Sequence, residues 1–193
     1  ADAGGDEAHD VTLQTTTGDM ALGAITADNI ADITSSGVIT DVNAGAVNLT
    51  ASELLIAAGG DIGEITTFSN GPAGADGDAI EFSAATITSV TAIGTNTIDI
   101  HLEQLGATPA ITLAGTALNI DDADPGQFIL ESAGDIDASA VPLATGAGEA
   151  LEGGDSIALY AGGTLTLPPS ISTTGDVRLS GDNVLDSDAA PYV

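Results

Sequence analysis

The chain has 193 residues, 43% of them hydrophobic, and sets 29 acidic side chains against a single basic one, Arg178, for a formal charge of −28. Such a charge repels nucleic acid and anionic membrane surfaces, while the apolar fraction is too high for a disordered polyelectrolyte. The absence of cysteine excludes disulfide staples, thiolate metal sites and cysteine catalysis, and no run of about 20 apolar residues is present to cross a membrane as a helix.

Residues 1–10 form an acidic, glycine-containing leader with His9, read as flexible. The start at Ala1, with neither Met nor a basic n-region, is expected of a processed mature protein or of a segment of a longer one. A single body is expected over 11–186, followed by a tail over 187–193. Within the body a loose motif recurs: an aliphatic residue, small or hydroxyl residues, a glycine, one more residue, then another aliphatic. It appears around Gly18, Gly37, Gly60, Gly134, Gly163 and Gly175, with Asp after the glycine at Asp19, Asp61, Asp135 and Asp176. Units of this kind bury their apolar face only against their neighbours.

Helical signals are weak: the chain has 25 Gly and no Lys, and the best helix-like window is Thr50 to Ala58. Short strand signals are many. Val47–Leu49, Ile80–Phe82, Ile87–Val90, Ile98–Leu102, Ile111–Leu113, Leu118–Ile120, Ile157–Leu159 and Leu165–Leu167 alternate or run apolar between Gly, Asn, Asp or Pro. In Ile98 to Glu103, Ile98, Ile100 and Leu102 take one face and Asp99, His101 and Glu103 the other, which predicts a half-buried strand with a solvent-facing His101–Glu103 pair.

Several intervals between motif glycines lie near 20 residues, the size of one β-helix coil, and the longer ones accommodate loops such as Ser69–Asp78 and Pro142–Gly154. The short interval from Gly163 to Gly175 does not fit. Coils of about 20 residues stacked at about 4.8 Å predict about nine coils in a rod roughly 45 Å long. The fold expected is therefore all-β, a right-handed parallel β-helix (β-solenoid). Tandem β-sandwich domains split near Leu105–Pro109 are the alternative, disfavoured by the five aromatic residues and the repeated Gly-Asp corner.

The stretches Val47–Ile62, Ile157–Leu167 and Thr15–Leu22 resemble the repeats of filamentous-haemagglutinin-type and other giant secreted bacterial surface proteins. That resemblance implies a right-handed parallel β-helix, export from the cell, and a role in adhesion, matrix or filament formation.

Candidate metal ligands are Asp121, Asp122 and Asp124 in the turn ending at Gly126, and Asp76 and Asp78 in a glycine-rich loop, since clustered carboxylates supply the hard oxygens that Ca²⁺ takes. The first cluster fails the EF-hand register. In the second, Pro72 breaks the glycine pair of the calcium nonapeptide and Asp78 stands where an aliphatic belongs. Asn48-Leu49-Thr50 is a formal glycosylation acceptor. Catalysis is not expected: sugar-processing clefts stack rings on aromatics, and only Tyr160 and Tyr192 are available, while a lyase would need more cations than Arg178. Thr15–Thr17, Thr86-Ile87-Thr88 and Thr164-Leu165-Thr166 suggest ice-binding rows, but they do not recur at one coil position.

The sequence thus reads as an extracellular structural protein, a self-stacking subunit or module of a surface filament or giant adhesin, screened by salt or Ca²⁺. Its expected partners are copies of itself or flanking repeats end to end, and divalent cations, with neither nucleic acid nor membrane insertion. Open β edges at the first and last coils carry that expectation. A calcium-dependent module binding a glycan or surface through its loops is the alternative.

Overall fold

The computed structural model describes residues 9–64, 79–94, 98–105, 110–114, 118–121, 126–144, 156–173 and 175–186. These residues are all-β, with no helix among them. In chain order the strands are β1 (Val11–Gln14), β2 (Met20–Leu22), β3 (Ile25–Thr26), β4 (Ile30–Ser35), β5 (Ile39–Asp41), β6 (Leu49–Thr50) and β7 (Glu53–Ala58). Next come β8 (Ile80–Ser83), β9 (Thr86–Ile93), β10 (Asp99–Gln104), β11 (Ala110–Leu113), β12 (Leu118–Asp121), β13 (Gln127–Ser132) and β14 (Asp135–Asp137). The last are β15 (Leu143–Ala144), β16 (Ser156–Ala161), β17 (Thr164–Thr166), β18 (Ile171–Ser172), β19 (Val177–Ser180) and β20 (Asn183–Leu185).

Every strand pairing among the described residues is parallel. The first long sheet runs β1-β4-β7-β9-β11-β14-β17-β20, with β12 also on β9, and the second runs β19-β16-β13-β10-β8-β6-β3. The β2–β5 pair joins the second sheet through single bridges from Ile39 to Ile62 and from Ile62 to Ile100. The chain moves repeatedly from one long sheet to the other, and each pass pairs with the pass before it. The antiparallel ladders of a Greek-key sandwich are absent among the described residues.

Alternating aliphatic residues make these strands, because period-two burial matches the pleat. In the first sheet Ala31, Leu54 and Ile87 share one register, as do Ile33, Ile56 and Val90. In the second, Leu102, Leu130 and Leu159 do the same. All of these side chains are buried in one continuous core. Burying each large one stabilises the fold by about 1.5–3 kcal/mol.

The helix-like window Thr50–Ala58 is instead β7, in which Leu54, Ile56 and Ala58 are buried on alternate positions. Its run of good helix formers is overridden by the tertiary position between β4 and β9. The path through the first sheet has eight strands, against the coil count of about nine expected from a 20-residue period. Inserted loops account for the difference: Leu54 pairs with Ile87, while Leu165 pairs with Val184.

The motif glycines do not occupy one position. Gly18, Gly37 and Gly60 follow strands of the first sheet, whereas Gly134 and Gly163 follow β13 and β16 of the second. Gly175 again precedes a second-sheet strand, β19. The short interval from Gly163 to Gly175 is therefore the part of one pass between two different corners.

Candidate functional site

Two arrangements stand out, the corner that leads into the second sheet and the face of that sheet turned away from the main core. At the corner, Met20, Ile39, Ile62, Ile100, Phe128, Ile157 and Val177 lie in one register across successive passes. The residue before each can reach the next pass. Asp19 Oδ1 accepts the Val38 N–H at 3.1 Å, Asp61 Oδ1 accepts that of Asp99 at 2.9 Å, and Ser156 Oγ accepts that of Asp176 at 3.1 Å. The opposite corner uses the same device, with Asp135 Oδ1 accepting the Thr164 N–H at 2.6 Å.

This geometry fixes two of the motif glycines. A Cβ on Gly37 would collide with Asp19 Oδ1, and one on Gly163 with Asp135 Oδ1. Asp19 and Asp135 thus each require a glycine on the following pass, just before the N–H they cap, whereas Asp61 caps the Asp99 N–H behind Ile98. At the start of the body, Asp10 Oδ1 accepts N–H groups from the Asn29 side chain at 2.9 Å and the Ile30 backbone at 3.2 Å, and the His9 carbonyl accepts from Asp28 and Asn29.

The loop between β5 and β6 is built on Asp41 and Asn48. Asn48, 0% exposed, donates from Nδ2 to Asp41 Oδ1 at 2.7 Å, Asn43 Oδ1 at 3.0 Å and the Leu22 carbonyl at 3.1 Å. Its Oδ1 accepts the Glu81 N–H at 2.9 Å. Burial raises the Asp41 pKa, but hydrogen bonds from Asn48 and from the Asn43, Ala44 and Gly45 N–H groups outweigh it and hold the carboxyl below its ordinary value. The formal glycosylation acceptor is therefore a buried structural amide.

On the outward face of the second sheet, Glu81, Glu103, Glu131 and Tyr160 share one register on β8, β10, β13 and β16, and His101, Ile129, Ala158 and Arg178 share the neighbouring one. The strand alternation expected for Ile98–Glu103 holds, but the solvent-facing pair does not: His101 is 3% exposed and Glu103 5%. Glu81 and Glu131 are at most 1% exposed. His101 Nδ1 lies 3.1 Å from the Glu64 carbonyl, and Ile129, Ala158 and Tyr160 form a second apolar cluster. Adjacent parallel strands bring these glutamates to about 4.8 Å spacing. Tyr160, at 2% exposure, is not available to stack on a sugar.

Of the predicted metal ligands, Asp76, Asp78, Asp122 and Asp124 lie outside the described residues, as does Tyr192. Asp121 ends β12, in register with Ile93 of β9. No group of three or more His, Cys, Asp or Glu arranged to hold a metal ion occurs among the described residues. No helix among them is long and apolar enough to cross a membrane.

Among the described residues the two long sheets end in strands paired on one side only, β1 and β20 in the first and β19 at one end of the second. Val177 is 43% and Val184 48% exposed at that last end, although their registers continue the buried columns ending in Ile157 and Leu165. Compared with known proteins, the chain matches no family model, no curated protein and no solved structure.

Proposed function

We propose that this is an extracellular structural protein whose parallel sheets wind as a right-handed β-solenoid and which serves as a self-stacking subunit or module of a surface filament or adhesin. One observation carries the reading: every described ladder is parallel and repeats one pass on the next, and among the described residues the first and last strands are paired on one side only. Such edges recruit further strands unless they are capped, and a head-to-tail contact that does not close yields a fibre. The function on this reading is mechanical and non-catalytic. Backbone ladders and aliphatic columns carry load along the axis, and the acidic exterior holds neighbouring rods apart or lets Ca²⁺ bridge them.

Electron microscopy of the purified chain, with millimolar Ca²⁺ and again with chelator, tests this. Uniform fibres are expected, and their loss on chelation would make cation bridging part of assembly. Short single rods under both conditions, in molar NaCl to screen the charge of −28, would overturn self-stacking and move the search to the loops.

A further inference from the structure

The corner column leaves a complementary half-contact at each end. On the last described pass, Gly175-Asp176 repeats the arrangement in which a corner side chain caps the following pass. The Asp176 N–H is itself capped by Ser156 Oγ, its carbonyl accepts the Ile157 N–H, and its side chain is exposed. On the first pass, Gly18 stands where Gly37 stands one pass later. A Cβ built on Gly37 would strike Asp19 Oδ1, whereas Gly18, with φ at +82°, has a different backbone and open space around it. No described residue caps the Asp19 N–H from a preceding pass.

We infer that Asp176 of one copy caps the Asp19 N–H of a second copy, as Asp19 caps that of Val38, and so sets the register of end-to-end stacking. The inference rests on the self-stacking reading and specifies its contact. In this register the Met20 column of the incoming copy continues Val177, covering a side chain that is 43% exposed. β2 of the incoming copy then extends the edge at β19 in the same parallel sense. Asp176 would lie beside Asp19, a like-charge approach the chain already makes where Asp61 caps the Asp99 N–H at 2.9 Å. At a charge of −28 per copy, the contact forms only under screening, for which molar salt shortens the Debye length to about 3 Å.

The test is sedimentation velocity with electron microscopy, in molar NaCl with chelator, on the full chain and three variants. Asp176→Ala removes the acceptor and should weaken assembly by about tenfold or more, since a hydrogen bond to a charged group contributes about 1.5–3 kcal/mol. Asp176→Asn keeps an oxygen acceptor and should still assemble. Asp32→Ala, which removes a charge from β4 away from both ends, should assemble at least as well as the wild type. Assembly of Asp176→Ala equal to that of the wild type would overturn this contact and leave stacking intact. A wild type that stays monomeric at every concentration and salt would overturn the stacking reading as well. Circular dichroism of each variant confirms that the monomer is folded, and a folded Asp176→Asn that fails to assemble would also count against the contact.

Discussion

Replacing Asn48 by Ala should be among the most damaging single changes in the body. The amide is 0% exposed and bridges three passes: Leu22 on the first, Asp41 and Asn43 on its own, and Glu81 on the next, 33 residues further on. Its loss removes the acceptor of the buried Glu81 N–H and the strongest donor to Asp41. The buried Glu81 N–H left without its partner costs about 1–3 kcal/mol, and Asp41, which keeps its backbone donors, loses about one hydrogen bond more, so the change should cost about 2–4 kcal/mol. For a chain of this size that is a fall in Tm of roughly 10 °C. Urea unfolding followed by far-ultraviolet circular dichroism measures it, and an unchanged m-value would show that only the native state is affected. Asn48→Asp should restore the acceptor but set a second carboxylate against Asp41, so it should be nearer wild type at pH 3 than at pH 7. A cost below about 1 kcal/mol for Asn48→Ala would refute the bridging role, because one exchanged hydrogen bond already accounts for that much.

Two other outcomes follow from the geometry. Gly163→Ala should destabilise the fold through collision with Asp135, and the double variant Asp135→Ala/Gly163→Ala should show coupling of about 1–2 kcal/mol; additive effects in thermal unfolding would remove the Asp-to-glycine pairing. Asp41 is held below its unfolded pKa, so its contribution is present above pH ~4 and is lost as pH falls through the lower folded value. Asp41→Asn should therefore flatten the acid limb of a stability-versus-pH curve, and an unchanged limb would contradict that assignment.

Most strands were legible because the core is aliphatic and alternates at period two. Ile98–Leu102, Ile157–Leu159 and Leu165–Leu167 all begin or sit within strands close to their predicted bounds. Thr50–Ala58 misled because Ala, Leu and Glu favour helices intrinsically, and only neighbours more than twenty residues away make that segment a strand. Alternation also assigned Asp99, His101 and Glu103 correctly to one face. It could not reveal that this face is buried, because burial on both sides depends on what lies over a sheet and not on the strand's own pattern. The Gly-Asp repeat was visible as a period, but its cause was not. Gly37 and Gly163 are required by Asp19 and Asp135 of the pass before, a dependence that becomes apparent only once the register is known.

Parallel register also separates spacing along the chain from spacing in space. Asp10 reaches Asn29, 19 residues on, and Asn48 reaches Glu81, 33 residues on, yet each bond joins neighbouring passes. Extra sequence is therefore taken up outside the ladders without altering them, because closing a longer loop costs only about 0.6 kcal/mol per doubling of its length. A fold of this kind can take up segments of different length between β7 and β8 while its buried columns remain unchanged. Chain length at that point can then change independently of the packing of the core.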